Sequence, residues 1–550
     1  MRYRVSAVAL LFTILLLSLF APAHSQAAVT LSAAVNGASY QNSALPNGKL
    51  AQGVLFIAFG QGMGPAVIAR ATSFPLPTQV SGTSISVTVG ASTAKCIMLY
   101  TTASQVAAVL PSSTPVGDGT MTVTYNGTDS APLSITVVAH AFGIFAVDQG
   151  GNGPGVFTDP ITNVANSLVR AANPGELLDI WGTGIGAVPG DEASGPLPGD
   201  LTSVNVQVFV GGQQAQILYR GRSGCCAGVD QIRISVPAVS GCYLPVYLVE
   251  EGVVSNFITM SAASSGSVCS DPGGFTAADL QNATNNGGWH VGAVSTSRLF
   301  GRGAKPTITE SDSLGAAFDN VSLQALLMSP GQPALNTCWV IQFPVATPPL
   351  PEFLDAGKVS VDGPIGPYDL VTPPGYLGVY SLAFLPGAPA GTPGLIGDGT
   401  LLKPGRYTFT GGGGAKVRPF TVSVDAPLTF EWTNHESITA VNRSQPLPIT
   451  WTGGSPGSSV NIHGQSSLMR GSNGDIGASF NCWVDATLGS FTVPASILLA
   501  LPPSYMSNGN PQGSLGVVEV TIGDRFTATG LDYGIAEFFD GFDRGIIAYQ

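Results

Sequence analysis

A unit of about 120 residues occurs twice near the start of this 550-residue chain. Residues 59–64 (FGQGMG) correspond to residues 181–186 (WGTGIG), and the PLP of residues 75–77 recurs at residues 196–198. The second copy carries an insertion at residues 221–228. A repeat of this length with strand periodicity is typical of tandem β-modules. The duplication therefore predicts two consecutive domains of one fold.

The periodicity inside the unit is that of strands. Val204, Val206 and Val208 occupy alternate positions, and a period of two turns one set of side chains inward and the other outward. Residues 121–125 repeat the pattern and lead into residues 126–127, an Asn-Gly pair that tolerates positive φ and predicts a hairpin. The predicted fold class is all-β: tandem immunoglobulin-like β-sandwiches followed by a β-rich C-terminal region.

The first residues have the pattern of a secretory signal peptide. Arg2 and Arg4 precede an apolar run at residues 5–20, and small residues follow. We expect residues 1–27 to be removed, which makes the mature protein secreted, either extracellular or at a bacterial cell surface. The alternative, a membrane anchor, needs about 20 apolar residues, more than this run has. No membrane span is expected in the mature chain.

Charge and composition narrow the classes of function. The chain has 33 acidic and 21 basic residues, a net charge of −12, and only 10% charged residues. Because it lacks the clustered Lys and Arg that bind phosphates, the sequence predicts no nucleic-acid partner. With 71 glycines, 41 prolines and 44% hydrophobic residues, the composition indicates several turn-rich sandwiches rather than disorder.

The pattern along the chain predicts five segments after the signal peptide. They are module 1 (residues 28–141), module 2 (142–263), a small polar linker (264–274), a β-rich domain (275–400) and a β-sandwich-like domain (401–550). Helical patterns are few, and the best are at residues 313–328 and 494–501.

In a secreted chain, seven cysteines predict disulfides. Cys338 and Cys482 both lie in strand-like runs and are expected to pair. Four more candidates cluster in module 2 and its exit, with their connectivity left open, and Cys96 remains as the odd cysteine. Those four are Cys225, Cys226, Cys242 and Cys269.

Three motifs resemble catalytic or cofactor sites but lack the required context. The glycine pairs at residues 60–62 and 182–184 lack the G-x-G-x-x-G spacing and a following helix. The G-x-S-x-G at residues 453–457 contains Pro456, which has no N–H for an oxyanion hole. The S-x-x-K at residues 92–95 lacks its companion motifs. No catalytic residue and no cofactor are assigned.

The sequence assigns no metal site either. Four acidic residues near the C-terminus are interpreted as a solvated loop, with calcium as the alternative; they are Asp532, Glu537, Asp540 and Asp543. No C-x-x-C occurs, and the mature histidines are isolated, so a metal pair is not expected. Each histidine is interpreted as a surface or hydrogen-bonded strand residue, although a site assembled by folding stays open. They are His140, His290, His435 and His463.

Tryptophans of the C-terminal half suggest a surface on which sugars stack. Trp289, Trp339 and Trp483 are the candidates for glycan stacking, and the alternative is that they fill cores. The alternation around Trp432 and Trp451 favours core positions for those two.

The duplicated part resembles a known family. Residues 36–40 (NGASY) are similar to the opening of the uncharacterised secreted domain first noted in Solibacter-type acidobacterial proteins. Residues 173–176 (NPGE), followed by WGTGIG, resemble that family's second-module signature, and residues 230–232 (DQI) resemble its closing strands. Each half also resembles TIG-type immunoglobulin-like domains. The resemblance covers about residues 30–262 and implies a fold and an extracytoplasmic location; it implies no catalytic residue.

These observations favour a secreted, non-enzymatic surface or matrix protein. The immunoglobulin-like modules are expected to act as a spacer, and the C-terminal half is expected to bind a polysaccharide or a cell-surface protein. The alternatives are an extracellular hydrolase acting on a carbohydrate polymer, and a self-assembling structural protein.

Overall fold

The computed structural model describes residues 28–270, 276–286, 288–302, 308–322, 334–343, 351–471 and 474–550. The predicted signal peptide, residues 1–27, lies outside them. Across these ranges strands predominate, and the α-helices are two short ones, α1 (Ala277–Asn286) and α2 (Ala495–Leu499). The all-β prediction is confirmed.

Module 1 is a sandwich of two sheets. One has the strand order β1-β3-β8-β7-β4 and the other β2-β11-β9-β5-β6, and Phe56, Val87 and Val123 meet in the buried core between them. The strands are β1 (Thr30–Asn36), β2 (Leu50–Ala51), β3 (Leu55–Gln61), β4 (Ala69–Arg70), β5 (Thr83–Val89), β6 (Ser92–Lys95), β7 (Ile97–Thr101), β8 (Gln105–Val109), β9 (Gly117–Tyr125), β10 (Thr128–Asp129) and β11 (Leu133–Val138). The predicted hairpin joins β9 to β10, with Asn126 and Gly127 both at positive φ.

Module 2 repeats the pairing scheme. Its strand β14 pairs with β18 as β3 pairs with β8, and β16 pairs with β19 as β5 pairs with β9. The strands are β12 (Gly143–Ile144), β13 (Phe157–Thr158), β14 (Leu177–Thr183), β15 (Gly199–Asp200), β16 (Val206–Val210), β17 (Gln213–Arg222), β18 (Asp230–Ser235), β19 (Gly241–Glu250), β20 (Val253–Val254) and β21 (Ile258–Ala262). The repeat in sequence is therefore a repeat in topology.

The C-terminal part is built on one large sheet with the order β24-β36-β35-β40-β41-β22-β23-β28-β29. The strands of the C-terminal part, in this sheet and in four smaller ones, are β22 (Gly288–Arg302), β23 (Ile308–Ser322), β24 (Thr337–Phe343), β25 (Glu352–Phe353), β26 (Val359–Asp362), β27 (Tyr368–Asp369), β28 (Val379–Phe384), β29 (Leu395–Ile396), β30 (Gly405–Gly411), β31 (Phe420–Ala426), β32 (Glu431–Trp432), β33 (Ala440–Val441), β34 (Leu447–Thr452), β35 (Ser459–Gly471), β36 (Gly474–Asp485), β37 (Ser490–Val493), β38 (Met506–Ser507), β39 (Asn510–Pro511), β40 (Gly513–Phe526), β41 (Tyr533–Arg544) and β42 (Ala548–Tyr549). Strands from both sides of residue 400 share this sheet, and the division at residue 400 stays a prediction.

One of the two predicted helices is wrong. Residues 313–322 belong to β23, where Leu314, Ala316 and Phe318 are buried at alternate positions, the period of a strand rather than a helix. The remainder of that predicted helix lies outside the described residues. The helix predicted at residues 494–501 is confirmed as α2, which begins after Pro494.

A buried ionic network joins module 1 to module 2. The Arg222 guanidinium contacts the carboxylates of Asp230 and Glu192, the latter at 3.1 Å, and donates to the Gly53 carbonyl of module 1 at 2.7 Å. The Asn36 amide of module 1 donates to the carbonyls of Ala141 and Thr183, both at 3.1 Å. Because a buried charge without a partner is costly, these contacts hold the two modules in one arrangement.

Module 2 shares a hydrophobic core with the C-terminal part. Tyr247 stacks on Phe257, which meets Trp339 of β24 edge-on. The Tyr247 hydroxyl lies 3.0 Å from Ser496 Oγ at the start of α2. Aromatic packing of this kind makes a continuous interior, so the modules are packed against the C-terminal part.

The structure forms three disulfides among the described residues. Cys338 pairs with Cys482 across the neighbouring strands β24 and β36, Cys242 pairs with Cys269, and the adjacent Cys225 and Cys226 pair with each other. Cys96 is a buried free thiol, and burial raises its pKa.

Candidate functional site

One face of the large sheet carries a row of polar side chains. The strand register places Trp483 opposite Asn461, and Asn481 opposite His463. Directly paired residues share a face, and the residues between them, such as Ile462 and Cys482, are fully buried on the other side. We call the exposed or half-exposed set the polar sheet face; it comprises Asn461, His463, Gln465, Ser479, Asn481 and Asp543.

His463 and Asp543 meet across an intervening strand. The His463 Nε2 atom lies 2.9 Å from Asp543 Oδ1, and Nδ1 lies 3.0 Å from Asn461 Oδ1. Gly516 of β40 lies between the two strands, and a Cβ there would collide with both side chains. A glycine inside a strand often marks such a close approach. Both ring nitrogens of His463 face oxygen atoms, so the imidazole is held in place.

The polar sheet face continues into a groove of about 470 Å³. The groove lies beside the β38–β39 hairpin, and the Ser467 amide donates to the Gln512 carbonyl at 2.9 Å to hold that hairpin against β35. Amides, hydroxyls and one carboxylate line it, with Pro511 and Ile546 as apolar patches. The lining is Gln465, Ser467, Asp475, Ser507, Asn508, Asn510, Pro511, Gln512, Gly513, Ser514, Gly545 and Ile546.

The three tryptophan candidates lie in different environments. Trp339 is only 4% exposed and packs against Phe257, which is the core position considered as the alternative. Trp289 is half-buried against the Cys242–Cys269 disulfide. Trp483 is half-buried and borders the polar sheet face. The three side chains therefore do not form one strip, and the Trp339 ring is covered by module 2.

A second group of charged residues lies on the opposite, core face of the sheet. The register places Glu519, Asp540, Arg298 and Asp312 side by side on four neighbouring strands, and Arg298 pairs with both oxygens of Asp540, at 2.8 and 2.6 Å. We call these four residues the buried charged row.

The buried charged row has the raised pKa values that a catalytic carboxylate pair would have. Burial raises the pKa of Asp312 to about 6 and raises those of Glu519 and Asp540. Each carboxylate nevertheless accepts a hydrogen bond from a backbone N–H of an overlying loop. Asp312 accepts from Leu402 at 2.7 Å, Glu519 from Ser455 at 2.8 Å, and Asp540 from Phe430 at 3.2 Å. Because loops cover these carboxylates and donate hydrogen bonds to them, the buried charged row holds the loops in place. Perturbed pKa values also arise in structural networks of this kind.

The rejected motifs occupy structural positions. In the G-x-S-x-G segment, the Ser455 N–H donates to the Glu519 carboxylate, so this backbone group already has a partner. Lys95 donates to Ser86 at 2.8 Å across the β5–β6 pair, away from Ser92. Gly60 and Gly182 lie within strands, where a Cβ would collide with the Thr30 carbonyl and the Phe142 ring respectively. These glycines allow close packing of chain segments.

The interpretation of the C-terminal acidic residues as a solvated loop is wrong for three of the four; Asp532 is exposed in a bend just before β41. Glu537, Asp540 and Asp543 lie along the extended strand β41, where they alternate between faces or lie far apart. Asp540 pairs with Arg298, Asp543 with His463, and Asp532 accepts from the His290 N–H at 2.9 Å. Within the described ranges, no group of three or more His, Cys, Asp or Glu residues could hold a metal ion.

The polar sheet face is visible in the sequence as an alternation of polar residues, which the motif analysis did not identify. In residues 461–465 (NIHGQ), the polar residues alternate with Ile462 and Gly464. Period two puts all three polar side chains on one side of a strand. The partner of His463 is 80 residues away in the chain, so spacing alone does not reveal it.

Among the helices in the described part of the chain, none is both long and apolar enough to cross a membrane. No protein-family model matches the chain. No curated protein matches it either.

Several solved structures are similar in part. SGBP-B of the Bacteroides ovatus mixed-linkage glucan utilization locus, in complex with a mixed-linkage heptasaccharide, is 10% identical, with a TM-score of 0.19, over 39% of this chain and 43% of that one. The chain therefore spans less than half the length of this protein. SGBP-B from a xyloglucan utilization locus of Bacteroides uniformis is 9% identical, with a TM-score of 0.15, over 65% of this chain and 86% of that one.

The S-layer protein SbsC, domains 5-6, is 12% identical, with a TM-score of 0.15, over 43% of this chain and 99% of that one. At these TM-scores the similarities carry no argument about function.

Proposed function

We propose that this protein is a secreted, non-enzymatic surface or matrix protein that binds an uncharged polysaccharide through the polar sheet face and the adjoining groove. The observation that carries the proposal is their continuity. Gln465 belongs to both, so a polymer lying along the face runs directly into the groove. In this proposal, modules 1 and 2 form a fixed support rather than a flexible spacer.

The side chains suit sugar hydroxyls. A hydroxyl both donates and accepts, and the amides of Gln465, Asn510 and Gln512 offer both functions in a planar arrangement. The Asp475 carboxylate adds an acceptor, and Trp483 borders the face with an aromatic ring for the apolar side of a sugar. Few positions on the face carry charge, so its recognition is by hydrogen bonds.

The charge of the chain favours an uncharged ligand. The net charge of −12 repels acidic polymers at low salt. The imidazole of His463, on the face beside the groove, already faces Asp543. A neutral glycan avoids that repulsion and leaves no charged group unpaired.

The test uses the mature chain in affinity electrophoresis through gels that contain neutral glucans, xylans or mannans, or acidic uronans. We expect retardation by at least one neutral polymer. The double variant Q465A/Q512A should weaken that binding about tenfold or more, since each hydrogen bond contributes about 1 kcal/mol. The matched control is Q213A/Q214A, which removes two exposed glutamines from β17 of module 2.

Two results would contradict the proposal. One is an absence of retardation by every neutral polymer in the panel. The other is unchanged binding by Q465A/Q512A together with weakened binding by Q213A/Q214A, which would place the binding surface on module 2.

A further inference from the structure

The loop that makes the second module longer than the first ends in an exposed pair of cysteines. Cys225 and Cys226 are bonded to each other at the loop tip, and both are exposed, as is Gly224 before them. The first module has no counterpart of this loop in the sequence. The pair is therefore a property of module 2 beyond what the immunoglobulin-like fold needs.

The other cysteines in the described residues are buried. Cys242 and Cys269 are 2% and 5% exposed, and Cys338 and Cys482 are 5% and 0% exposed. A thiol in solution therefore meets the Cys225–Cys226 bond first. Buried disulfides become accessible only when the structure around them opens.

The Cys225–Cys226 bond also contributes least to holding the chain together. A disulfide stabilises mainly by restricting the unfolded chain, and the restriction grows with the length of the loop it closes. Cys225 and Cys226 are 1 residue apart in sequence, against 27 and 144 for the other pairs. Opening this bond therefore leaves the fold in place.

The base of the loop is buried in the junction between the modules. Ala227 packs with Ile97 and Val109 of module 1. The Gly228 carbonyl accepts a hydrogen bond from Thr183 Oγ1 at 2.6 Å, and Thr183 Oγ1 in turn accepts from the Leu55 N–H at 2.8 Å. The contacts that join the modules therefore begin one residue after Cys226.

We propose that Cys225–Cys226 is a reversible thiol–disulfide site that reacts with small thiols while the rest of the protein stays folded. A thiolate attacks one sulfur, the Cys225–Cys226 bond breaks, and a mixed disulfide forms while the released sulfur takes up a proton. A second thiol then displaces the first, which yields the two cysteine thiols and the oxidised small-thiol disulfide. Two electrons pass from two small thiols to the protein.

The position of Ser223 indicates which of the two sulfurs is attacked and which one leaves. Its Oγ lies 3.4 Å from Cys225 Sγ and donates to the Cys226 carbonyl at 3.5 Å in the intact disulfide. When the bond opens, the hydroxyl can turn to donate to the neighbouring Cys225 thiolate and stabilise it. Cys225 is therefore the leaving sulfur and Cys226 is the one attacked. Since the released thiol stays on the neighbouring residue, re-formation of the bond is intramolecular and fast.

The experiment treats the native mature chain with millimolar reduced glutathione, blocks free thiols with iodoacetamide, and maps them after trypsin digestion. Cleavage after Arg222 and Arg233 isolates both cysteines in one peptide, residues 223–233, which contains no other cysteine. We expect two labels on this peptide, none on the other cysteines, and loss of the labels when oxidised glutathione is added before blocking. Ser223→Ala should slow the reaction several-fold.

The control C225S/C226S should fold normally and take up no label under the same conditions. Labelling of Cys242, Cys269, Cys338 or Cys482 before residues 223–233 would overturn the proposal, as would a peptide that stays unlabelled. An unchanged rate in Ser223→Ala would overturn the assignment of Cys225 as the leaving sulfur.

Discussion

Because Asp312 is buried, its contribution to the stability of the fold depends on pH. One of its oxygens accepts from the Leu402 N–H, and the other is buried without a hydrogen-bond partner. Its charged neighbours are Arg298, Glu310 and Asp540, two of which are acidic. Because desolvation outweighs the single cation, the ionised form is disfavoured and the pKa rises to about 6.

The stability of the C-terminal part should therefore increase as the pH falls from 7 to 5. A carboxyl whose pKa is raised on folding costs stability when ionised, and that cost disappears as the group is protonated below the folded pKa. For a pKa of about 6, the expected gain over this range is about 1 kcal/mol. Glu519 and Asp540, whose pKa values burial also raises, act in the same direction. Urea unfolding at a series of pH values measures the change.

Asp312→Asn should make the protein more stable at pH 7 and reduce the pH dependence, since an amide oxygen still accepts from Leu402. The control is Asp524→Asn, at an exposed position, which should leave the slope unchanged. A fall in stability from pH 7 to 5 that is the same in Asp312→Asn would contradict this account.

At the scale of single elements, β24 is an edge strand that would be exposed without its attachments. It pairs only with β36 in the sheet, and the Cys338–Cys482 bond joins the two at their cross-strand pair. The amide groups of Gln342 and Asn47 exchange hydrogen bonds at 3.1 and 3.2 Å, which ties the same strand to module 1. Covered edges avoid pairing with other chains.

Replacing both cysteines by serine (C338S/C482S) should destabilise the protein by about 2–5 kcal/mol, because the bond closes a loop of 144 residues. Thermal unfolding under non-reducing conditions measures the loss. C225S/C226S should change the same midpoint far less. Equal effects of the two double variants would mean that the β24 attachment does not depend on its disulfide.

At the scale of the whole molecule, the modules and the C-terminal part are connected by buried contacts rather than by linkers. Arg222 is 2% exposed and lies between two buried carboxylates, Asp230 and Glu192. Tyr247 and Phe257 extend the C-terminal core into module 2. The modules and the C-terminal part therefore form one continuous packed unit.

Arg222→Met should cost about 3–5 kcal/mol and loosen the junction, because two carboxylates are left buried without a cation. The matched control is Arg233→Met, whose partner Asp179 is also acidic but whose own side chain is 34% exposed. Small-angle scattering should show a larger radius of gyration for Arg222→Met alone. An unchanged midpoint and radius would show that the ionic network does not hold the modules together.

Local patterns account for the predictions that were confirmed. Alternation in β9 and the Asn126–Gly127 turn are decided by neighbours a few residues apart, so they can be read directly. Where two periodicities compete, as at residues 313–322, burial on one face of a sheet overrides the helical pattern. The alternation around Trp432 is visible in burial, with Phe430 and Trp432 buried and Glu431 exposed between them, although β32 itself has only two residues.

The sequence by itself determined the all-β class and the repeated module, because strand period, turns and repetition are local properties of the chain. The tertiary structure alone decided the candidate site. His463 and Asp543 are 80 residues apart and meet only because the residue between them is Gly516. Trp339 is buried because Phe257 of module 2 packs against it. Which side chains share a face depends on strand register, and register is set by the packing of distant segments.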